Sequence, residues 1–330
     1  MKIALISDEL TKDALSYEAH IKHITPFNYK LVFKFFKPDM LFVESAWKGH
    51  KNSWRYKIAS YPDVPKRTNH RLAKVVKYAK DLGIPTVFWN KEDGVHFDRF
   101  IDSAKLFDHI FTVDTNSIPR YKQIVPSSTT VNTLMFAIQP KIHHFTGFNF
   151  RYNSANFVGS YSHHIHSQRR KWQNMMFESI TLHGMDLVVY DRNSDRKSPN
   201  YRYPDIDNII VKQAIRYHKT AQIYKDYTIS LNVNTIEDSP SMFSRRLIEI
   251  LACGGIAITN PTKAVNKYFN DFCHIIHSQE EMNELAYRIH KFGPNDDDKD
   301  RAYSGAMNIA KYHIWSHRLK EISDIVGLGL

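Results

Sequence analysis

The sequence predicts an α/β protein built from two Rossmann-like, doubly wound domains that face each other across a cleft. Short apolar runs alternate with amphipathic helical stretches from end to end, and this alternation lapses once, around residues 138–155. The two parts on either side of the lapse have similar lengths and repeat the same alternation. Strand–helix–strand alternation is typical of a parallel sheet covered by helices on both faces. We therefore expect an N-terminal domain over residues 1–140 and a C-terminal domain over residues 141–330.

Five short apolar runs predict the strands of the N-terminal domain: Ile3–Ile6, Met40–Val43, Thr86–Trp89, His109–Val113 and Val131–Met135. The clearest helix between them is Asn69–Leu82, whose apolar residues recur at helical spacing and which ends before Gly83.

The second part of the chain repeats the pattern. Its predicted strands are Asn156–Val158, Leu187–Tyr190, Thr228–Val233, Ile256–Thr259 and His274–His277. Helices are expected at Arg170–Leu182, between Ser241 and Ala252, and at Gln279–Lys291, Ala302–Lys311 and His317–Val326, and Asp296–Asp298 is expected to form a solvent-exposed turn. The last helix is expected to pack back on the N-terminal domain, with an interfacial membrane anchor as the alternative.

Composition restricts the class of protein without choosing a function. The formal net charge is +11, with 21 Lys/Arg against 14 Asp/Glu in residues 1–140 and 24 against 20 in the remainder. Such a basic surface suits nucleic acid, anionic lipid or phosphorylated small molecules. The chain contains two cysteines and no apolar run long enough to span a bilayer, and its N-terminus lacks the pattern of a signal peptide. We therefore expect a cytoplasmic location.

Polar clusters directly follow two predicted strands of the N-terminal domain, where parallel sheets usually bind ligands. Glu92, Asp93 and His96 follow the strand at 86–89, and Glu44 and Trp47 follow the strand at 40–43. The alternatives are a capped helix N-terminus for the first cluster and an ordinary loop for the second.

The first strand of the C-terminal domain leads into a candidate phosphate-binding segment. Gly159 and Ser160 follow this strand, and Arg169 and Arg170 enter the next helix. Glycine permits close backbone approach, and a helix start with arginines favours phosphate. The intervening histidines at 163, 164 and 166 raise the alternative of a metal site, but they lack an acid or cysteine at ligand spacing.

A second candidate segment runs from Asn234 to Glu249. Ser239 or Ser241 is expected to cap the following helix, and this helix carries Arg245 and Arg246 before the single acid Glu249. A buried carboxylate requires a partner. Either a ribose diol fills this role, or an ion pair with Arg245 or Arg246 at helical spacing does.

Several motifs together resemble a known family. The segments "MFSRRLIEILACGGIAITNP" and "YKDYTISLNVN" are similar to the nucleotide-sugar domain of glycosyltransferases with the GT-B fold, and in detail to the CgeB/YkvP-like, or group 1-like, glycosyltransferases. "LFVESAW", "IPTVFWNKEDGVHFDRF" and "FDHIFTVD" resemble the N-terminal domain of that group, and "NFVGSY" resembles the start of its second domain. The likeness covers most of residues 38–262.

The resemblance implies transfer of a sugar from a nucleotide-sugar donor to a hydroxyl of a glycan or lipid-linked acceptor, in bacterial surface polysaccharide synthesis. Related retaining enzymes carry an E-x7-E pair. Glu249 matches the second position, which implies ribose binding, whereas Ser241 stands at the first, so the stereochemical outcome stays open. The family implies no metal and no cofactor. The donor-binding candidates are Gly159, Ser160, Arg169, Arg170, Asn234, Ser241, Arg245, Arg246 and Glu249. The catalytic candidates are Glu92, Asp93 and His96, and the acceptor-side candidates are Glu44 and Trp47.

Three alternatives remain open at this stage: a nucleotide-sugar epimerase, a non-catalytic sugar- or nucleotide-binding protein of the same fold, and a nucleic-acid-binding protein. We expect no nucleic acid as partner, because the basic residues are not grouped with aromatic residues in a recognisable motif. The basic N-terminal face suggests a peripheral position on an anionic membrane.

Overall fold

The computed structural model describes residues 1–329, which form two compact units. The first unit contains residues 1–139 and 239–242 and the chain from Trp315 onward, and the second contains residues 140–238 and 243–314. Each unit has one six-stranded sheet in which every pair of neighbouring strands is parallel. The predicted α/β class with two doubly wound, Rossmann-like domains is thus confirmed.

The first sheet has the strand order β2-β1-β3-β4-β5-β6. Its strands are β1 (Lys2–Ile6), β2 (His20–His23), β3 (Met40–Glu44), β4 (Thr86–Asn90), β5 (His109–Thr112) and β6 (Thr130–Thr133). The helices between them are α1 (Glu9–Leu15), α2 (Tyr29–Phe36), α3 (His70–Asp81), α4 (Phe97–Ala104) and α5 (Ile118–Ile124).

The second sheet has the order β12-β11-β10-β7-β8-β9. Its strands are β7 (Tyr152–Gly159), β8 (Leu187–Asp191), β9 (Ile209–Gln213), β10 (Tyr227–Asn232), β11 (Ala257–Thr259) and β12 (His274–Ile275). Its helices are α6 (Ser167–Thr181), α7 (Thr220–Asp226), α8 (Arg245–Ala252), α9 (Lys263–Tyr268), α10 (Gln279–Phe292) and α11 (Asp296–Tyr312). The strand order reverses between β7 and β10, and ligands bind beyond the carboxyl ends of strands at such a point.

The last helix, α12 (Trp315–Val326), belongs to the first unit. Trp315, Leu319 and Ile322 are buried in the same apolar cluster as residues of β1, β3 and β4. The apolar face of α12 is therefore covered by protein, and the alternative of an interfacial anchor is wrong. Among residues 1–329 there is no helix with the length and apolarity to span a bilayer.

The expected acidic turn at Asp296–Asp298 is instead the first turn of α11. Asn295 and Asp298 form a capping box, which explains why three acids stand together at a helix N-terminus. The carboxylate of Asp298 is buried and accepts hydrogen bonds from Arg288 at 2.7 and 2.8 Å, with His274 Nε2 at 2.9 Å. It joins α10, α11 and β12.

Candidate functional site

β7 ends at Gly159, and the name recess is used for this strand end together with Phe157, Arg169 and Arg246 beside it. A Cβ at this position would lie 2.6 Å from Phe157 Cε1 and 2.9 Å from Arg246 Nη2. Both distances are shorter than a carbon atom tolerates, so only glycine permits the arginine to approach the strand end this closely. The prediction that glycine serves close approach here fits this geometry, and what approaches is a guanidinium.

Two partly buried arginines meet at this recess. Arg246 lies with its guanidinium carbon 4.4 Å from the centre of the Phe157 ring, and Arg169 donates from Nη2 to the carbonyl of Ser160 at 3.1 Å. Arg246 Nη1 and Arg169 Nε are buried without a hydrogen-bond partner among residues 1–329. Burial and the charge of Arg246 lower the pKa of Arg169 to about 10, and burial lowers the pKa of Arg246. An anion in the recess would relieve both effects.

The other arginine of each adjacent pair, Arg170 or Arg245, bonds to other groups of the protein. Arg170 donates from Nη1 to the carbonyls of Ser162 and Ile165 at 3.0 and 3.3 Å, which closes the loop before α6. Arg245 places its Nε 2.7 Å from Glu249 Oε1, one helical turn further along α8. The sequence did not distinguish the members of each pair, whereas the structure places Arg169 and Arg246 at the recess.

Asn234 fixes the start of α8. Its Oδ1 accepts from the backbone N–H of Ser244 at 2.7 Å, and its Nδ2 lies 3.0 Å from Thr259 Oγ1. The expected capping of this helix by Ser239 or Ser241 is wrong, because α8 begins at Arg245 with Ser244 as its N-cap. Arg245 and Arg246 are therefore its first two residues, and the buried Asn234 holds the turn from which they project.

Ser241 lies in the first unit. It is 4% exposed, donates to the Val113 carbonyl at 2.9 Å, and accepts from the backbone N–H of Thr115 at 2.9 Å. The nearby Ser239 donates to Asp114 Oδ1 at 2.6 Å. The hydroxyl of Ser241 joins residues 239–242 to the end of β5, and its assignment to donor binding stays a prediction.

Glu249 is 3% exposed, and its carboxylate is engaged within the second unit. Arg245 pairs with Oε1, and Tyr224 donates its hydroxyl to Oε2 at 3.4 Å. Of the two partners considered from sequence, the structure shows the ion pair with Arg245. A ribose diol at this carboxylate would share it with Arg245 or displace the guanidinium.

Sequence reasoning missed two further polar residues of the second unit. Tyr203 is packed against Phe157 and Phe177, and its buried hydroxyl has no hydrogen-bond partner in the described chain. Its segment carried no periodic signal, because it lies in a long irregular loop between β8 and β9. Glu237, which accepts from Trp172 Nε1 at 2.7 Å, could have been found as an acid that follows β10.

In the first unit, Asp93 is an interior residue. It is 0% exposed and accepts from Asn90 Nδ2 at 2.6 Å and from Tyr121 Oη at 2.9 Å. Burial raises the pKa of Asp93 to about 7. The enclosed carboxyl group binds Tyr121 of α5 to the end of β4, and its catalytic role stays a prediction.

Glu92 and His96 lie in the partly exposed turn between β4 and α4. The indole of Trp47 packs edge-on against the His96 ring with centroids 5.2 Å apart, so the structure brings these two predicted residues together. Burial lowers the pKa of His96, and the charge of Glu92 opposes that change. Its imidazole is therefore largely neutral at pH 7.

Glu44, expected on the acceptor side, is fully buried at the end of β3. It accepts from the Asp8 backbone N–H at 2.6 Å, from the Thr11 hydroxyl, and from Lys91 Nζ at 3.0 Å. Burial raises the pKa of its carboxyl group despite Lys91. Glu44 thus joins the end of β3 to α1 and to the end of β4, and its contact with an acceptor stays a prediction.

The histidine-rich loop before α6 is largely exposed, and His164 packs edge-on against Tyr201. Within residues 1–329, His, Cys, Asp and Glu side chains do not come together in any group of three or more that would hold a metal ion. Metal-independent action remains a prediction.

Comparison with known proteins gives the fold and site a context. A family model described as "Glycosyl transferase-like" matches residues 168–324. Spore protein CgeB of Bacillus subtilis (strain 168) is 22% identical over 227 residues, which are 63% of this chain and 70% of that protein.

Solved structures of similar fold include an alpha-glucosyltransferase in complex with UDP (TM-score 0.65, 12% identity, 99% of this chain and 100% of that one). Anabaena HepE in complex with UDP and glucose gives a TM-score of 0.59 at 10% identity, with coverage of 99% and 91%. A sucrose-phosphate synthase from Thermosynechococcus elongatus gives 0.58 at 9% identity, with coverage of 96% and 78%.

Two parallel six-stranded sheets in succession, together with the likeness to these solved structures, show that the chain has the GT-B fold. Residues 168–324 resemble the glycosyl transferase-like family, and the chain is similar to spore protein CgeB, which is the likeness that its motifs predicted.

Proposed function

We propose that the protein transfers a sugar from a nucleotide-sugar donor to a hydroxyl group of a glycan or lipid-linked acceptor. One observation carries the proposal: Arg169 and Arg246 stand at the glycine end of a central strand with buried guanidinium nitrogens that lack partners among residues 1–329. Two such cations repel each other and favour an anion with several oxygens, and the diphosphate of a nucleotide-sugar fits that requirement. Two similar solved proteins hold UDP, one of them together with glucose.

The two arginines would act in the chemical step as well as in binding. Cleavage of the bond between sugar and diphosphate leaves negative charge on the phosphate oxygens, and fixed guanidinium groups stabilise charge that develops in the transition state. This role needs no metal ion, so we expect activity in the presence of EDTA. Glu92 and His96 are our candidates for acceptor activation, because they are the two predicted catalytic residues with exposed surface.

The proposal is tested by calorimetric binding of UDP to the full chain. Arg246→Met and Arg169→Met are each expected to weaken binding by about tenfold to a hundredfold, since a charge-assisted hydrogen bond contributes about 1.5–3 kcal/mol. Arg170→Met is the matched control, because its guanidinium bonds to loop carbonyls. Equal affinities for wild type and Arg246→Met would refute the site.

The role of Glu249 is tested separately with UDP and 2′-deoxy-UDP. If the carboxylate binds the ribose, wild type prefers UDP and Glu249→Gln loses that preference. If Glu249 only holds Arg245, both ligands bind more weakly by the same factor. The comparison of two ligands on one variant removes any general effect of the substitution on folding.

Turnover distinguishes transfer from the alternatives of the same fold. Release of UDP from a panel of UDP-sugars, faster with a glycan or lipid-linked acceptor, supports a transferase. Conversion of the donor into an isomeric sugar without acceptor would indicate an epimerase, and binding without turnover a non-catalytic protein. A similar solved protein binds a 13-mer DNA, so a gel-shift assay with the same DNA length tests our expectation that nucleic acid is not a partner.

We place the reaction in the cytoplasm, on the inner face of the plasma membrane, as a step of bacterial surface polysaccharide synthesis. Two buried free cysteines support a reducing compartment, and the basic excess of the N-terminal half supports an anionic surface.

A further inference from the structure

The outward face of α2 carries an apolar stripe that the fold leaves uncovered. Phe27, Leu31 and Phe35 recur every four residues and are 83%, 61% and 74% exposed. The opposite face of the same helix is in the core, where Phe33 is buried and Tyr29 packs edge-on against Tyr78 of α3. Phe27 lies in the turn just before α2, and Leu31 and Phe35 lie on the helix. Isolated exposed apolar residues are ordinary on protein surfaces, whereas three large ones in a row along a helix and the turn before it indicate an interaction surface.

The surroundings of the stripe are strongly basic. Residues 20–38 and 64–80, which include α2 and all of α3 except its last residue, Asp81, contain ten Lys or Arg residues and not one Asp or Glu. Two of these lysines, Lys77 and Lys80, pair with Asp81 and Asp108. Lys34 Nζ lies 5.4 Å from the centre of the Phe35 ring, and the Arg71 guanidinium lies 5.8 Å from that of Phe27. Lys30, Lys34 and Arg71 are exposed. Cations therefore flank the apolar side chains.

From this juxtaposition we infer that the α2 face, defined by Phe27, Leu31 and Phe35 with their flanking cations, docks onto an anionic lipid bilayer. A helix with an apolar stripe and lysines beside it lies in the plane of the interface, with its apolar side chains below the headgroups. The lysine and arginine stems reach up to the lipid phosphates from the same depth. Leu31, in the middle of the stripe, has no ring to stack on a nucleic-acid base, so it gains only from an apolar medium.

This inference deepens the proposed membrane location, names the surface that produces it, and is independent of the donor site. Vesicle binding is measured without donor or acceptor, so failure of the lipid contact and failure of glycosyl transfer remain separate results. It also predicts that α2, rather than α12, makes the contact, because the apolar face of α12 is buried.

The test is co-sedimentation of the full chain with phosphatidylcholine vesicles that contain about 30% phosphatidylglycerol, and with pure phosphatidylcholine vesicles. We expect binding to the anionic vesicles only. Phe27→Ser/Phe35→Ser is expected to reduce the partition coefficient at least tenfold. Lys30→Gln/Lys34→Gln is expected to reduce it about fivefold per charge, because each cation near an anionic surface contributes about 1 kcal/mol.

The chain provides a matched control at the end of α10. Phe292 is 71% exposed, and Lys291 Nζ lies 5.3 Å from the centre of its ring, as Lys34 does beside Phe35. Phe292→Ser is expected to leave vesicle binding unchanged. Unchanged thermal unfolding of each variant shows that it is folded.

Three outcomes would overturn the inference. They are absence of binding to anionic vesicles, binding that Phe27→Ser/Phe35→Ser does not reduce, and a dimer in size-exclusion chromatography that this double substitution dissociates. The last result would assign the stripe to a second copy of the chain.

Discussion

Asp93 offers a decisive test because the sequence suggested catalysis and the structure encloses the side chain. The perturbation is Asp93→Asn, which keeps the shape of the group and removes its charge. Burial raises the pKa of Asp93 to about 7 from the ordinary 3.8. The folded state therefore holds this proton over a pH range in which the unfolded state has released it. Stability is highest below about pH 4 and falls as the pH rises towards 7.

The magnitude follows from the displacement of the pKa. A pKa near 7 rather than 3.8 corresponds to a loss of about 4 kcal/mol in the free energy of unfolding across that window. Asp93→Asn carries no titrating group, so this part of the pH dependence should vanish. The variant should be the more stable protein at pH 8 and close to wild type at pH 4–5, where Asp93 is protonated.

Urea unfolding between pH 4 and 8, followed by tryptophan fluorescence, measures this effect. Four of the five tryptophans belong to the first unit, as Asp93 does, so the signal reports the unit that contains it. Glu92→Gln, at the partly exposed neighbouring position, is the control and should keep the wild-type pH dependence. Equal pH dependence in wild type and Asp93→Asn would refute the reasoning. A loss of transfer activity beyond a hundredfold in a stable Asp93→Asn protein would support the catalytic assignment.

Two further predictions follow from close contacts in the second unit. Gly159→Ala should displace Arg246, because the added Cβ would lie 2.9 Å from Arg246 Nη2. We expect about tenfold weaker binding of UDP, measured by calorimetry. We also expect the free energy of unfolding to fall by about 1–3 kcal/mol, measured by thermal unfolding. Asp298→Asn should lower the free energy of unfolding by about 3 kcal/mol, as measured by urea unfolding, since it leaves Arg288 and His274 without their carboxylate. Although burial opposes it, hydrogen bonds from His274 and Arg288 lower the pKa of Asp298. Wild type should therefore lose this contribution as the pH falls below about 4, whereas Asp298→Asn should show no such loss.

The sequence predicted the central strands and the edge strands β6 and β12, but not the edge strands β2 and β9. β3 and β4 are buried at every position, and a buried strand reads as a continuous apolar run. β2 and β9 lie at sheet edges, and β9 has four exposed residues out of five, so neither left an apolar pattern. Pairing with a neighbour, which the local sequence does not record, makes these segments strands.

The candidate site was predictable as a region and not as a set of contacts. Gly159 and the arginine pairs stood where the strand-end rule directed attention, and the structure brings Arg246 to Gly159. Asp93 and Glu44 also follow strands, but they turn inward to Tyr121 and Lys91. A carboxylate that follows a strand looks the same in sequence whether it faces a ligand or the protein interior. Only the long-range partners separate the two cases.

The start of α8 shows how two adjacent arginines acquire different roles. Successive residues on a helix point about 100° apart, so Arg245 and Arg246 cannot face the same surface. Glu249 stands four residues after Arg245 and takes that guanidinium at 2.7 Å, which leaves Arg246 over Phe157 beside Gly159. Asn234 fixes the first turn and hence the direction of both side chains. The lone acid of an otherwise apolar helix therefore determines which arginine is available to the proposed diphosphate, whether or not it also binds the ribose.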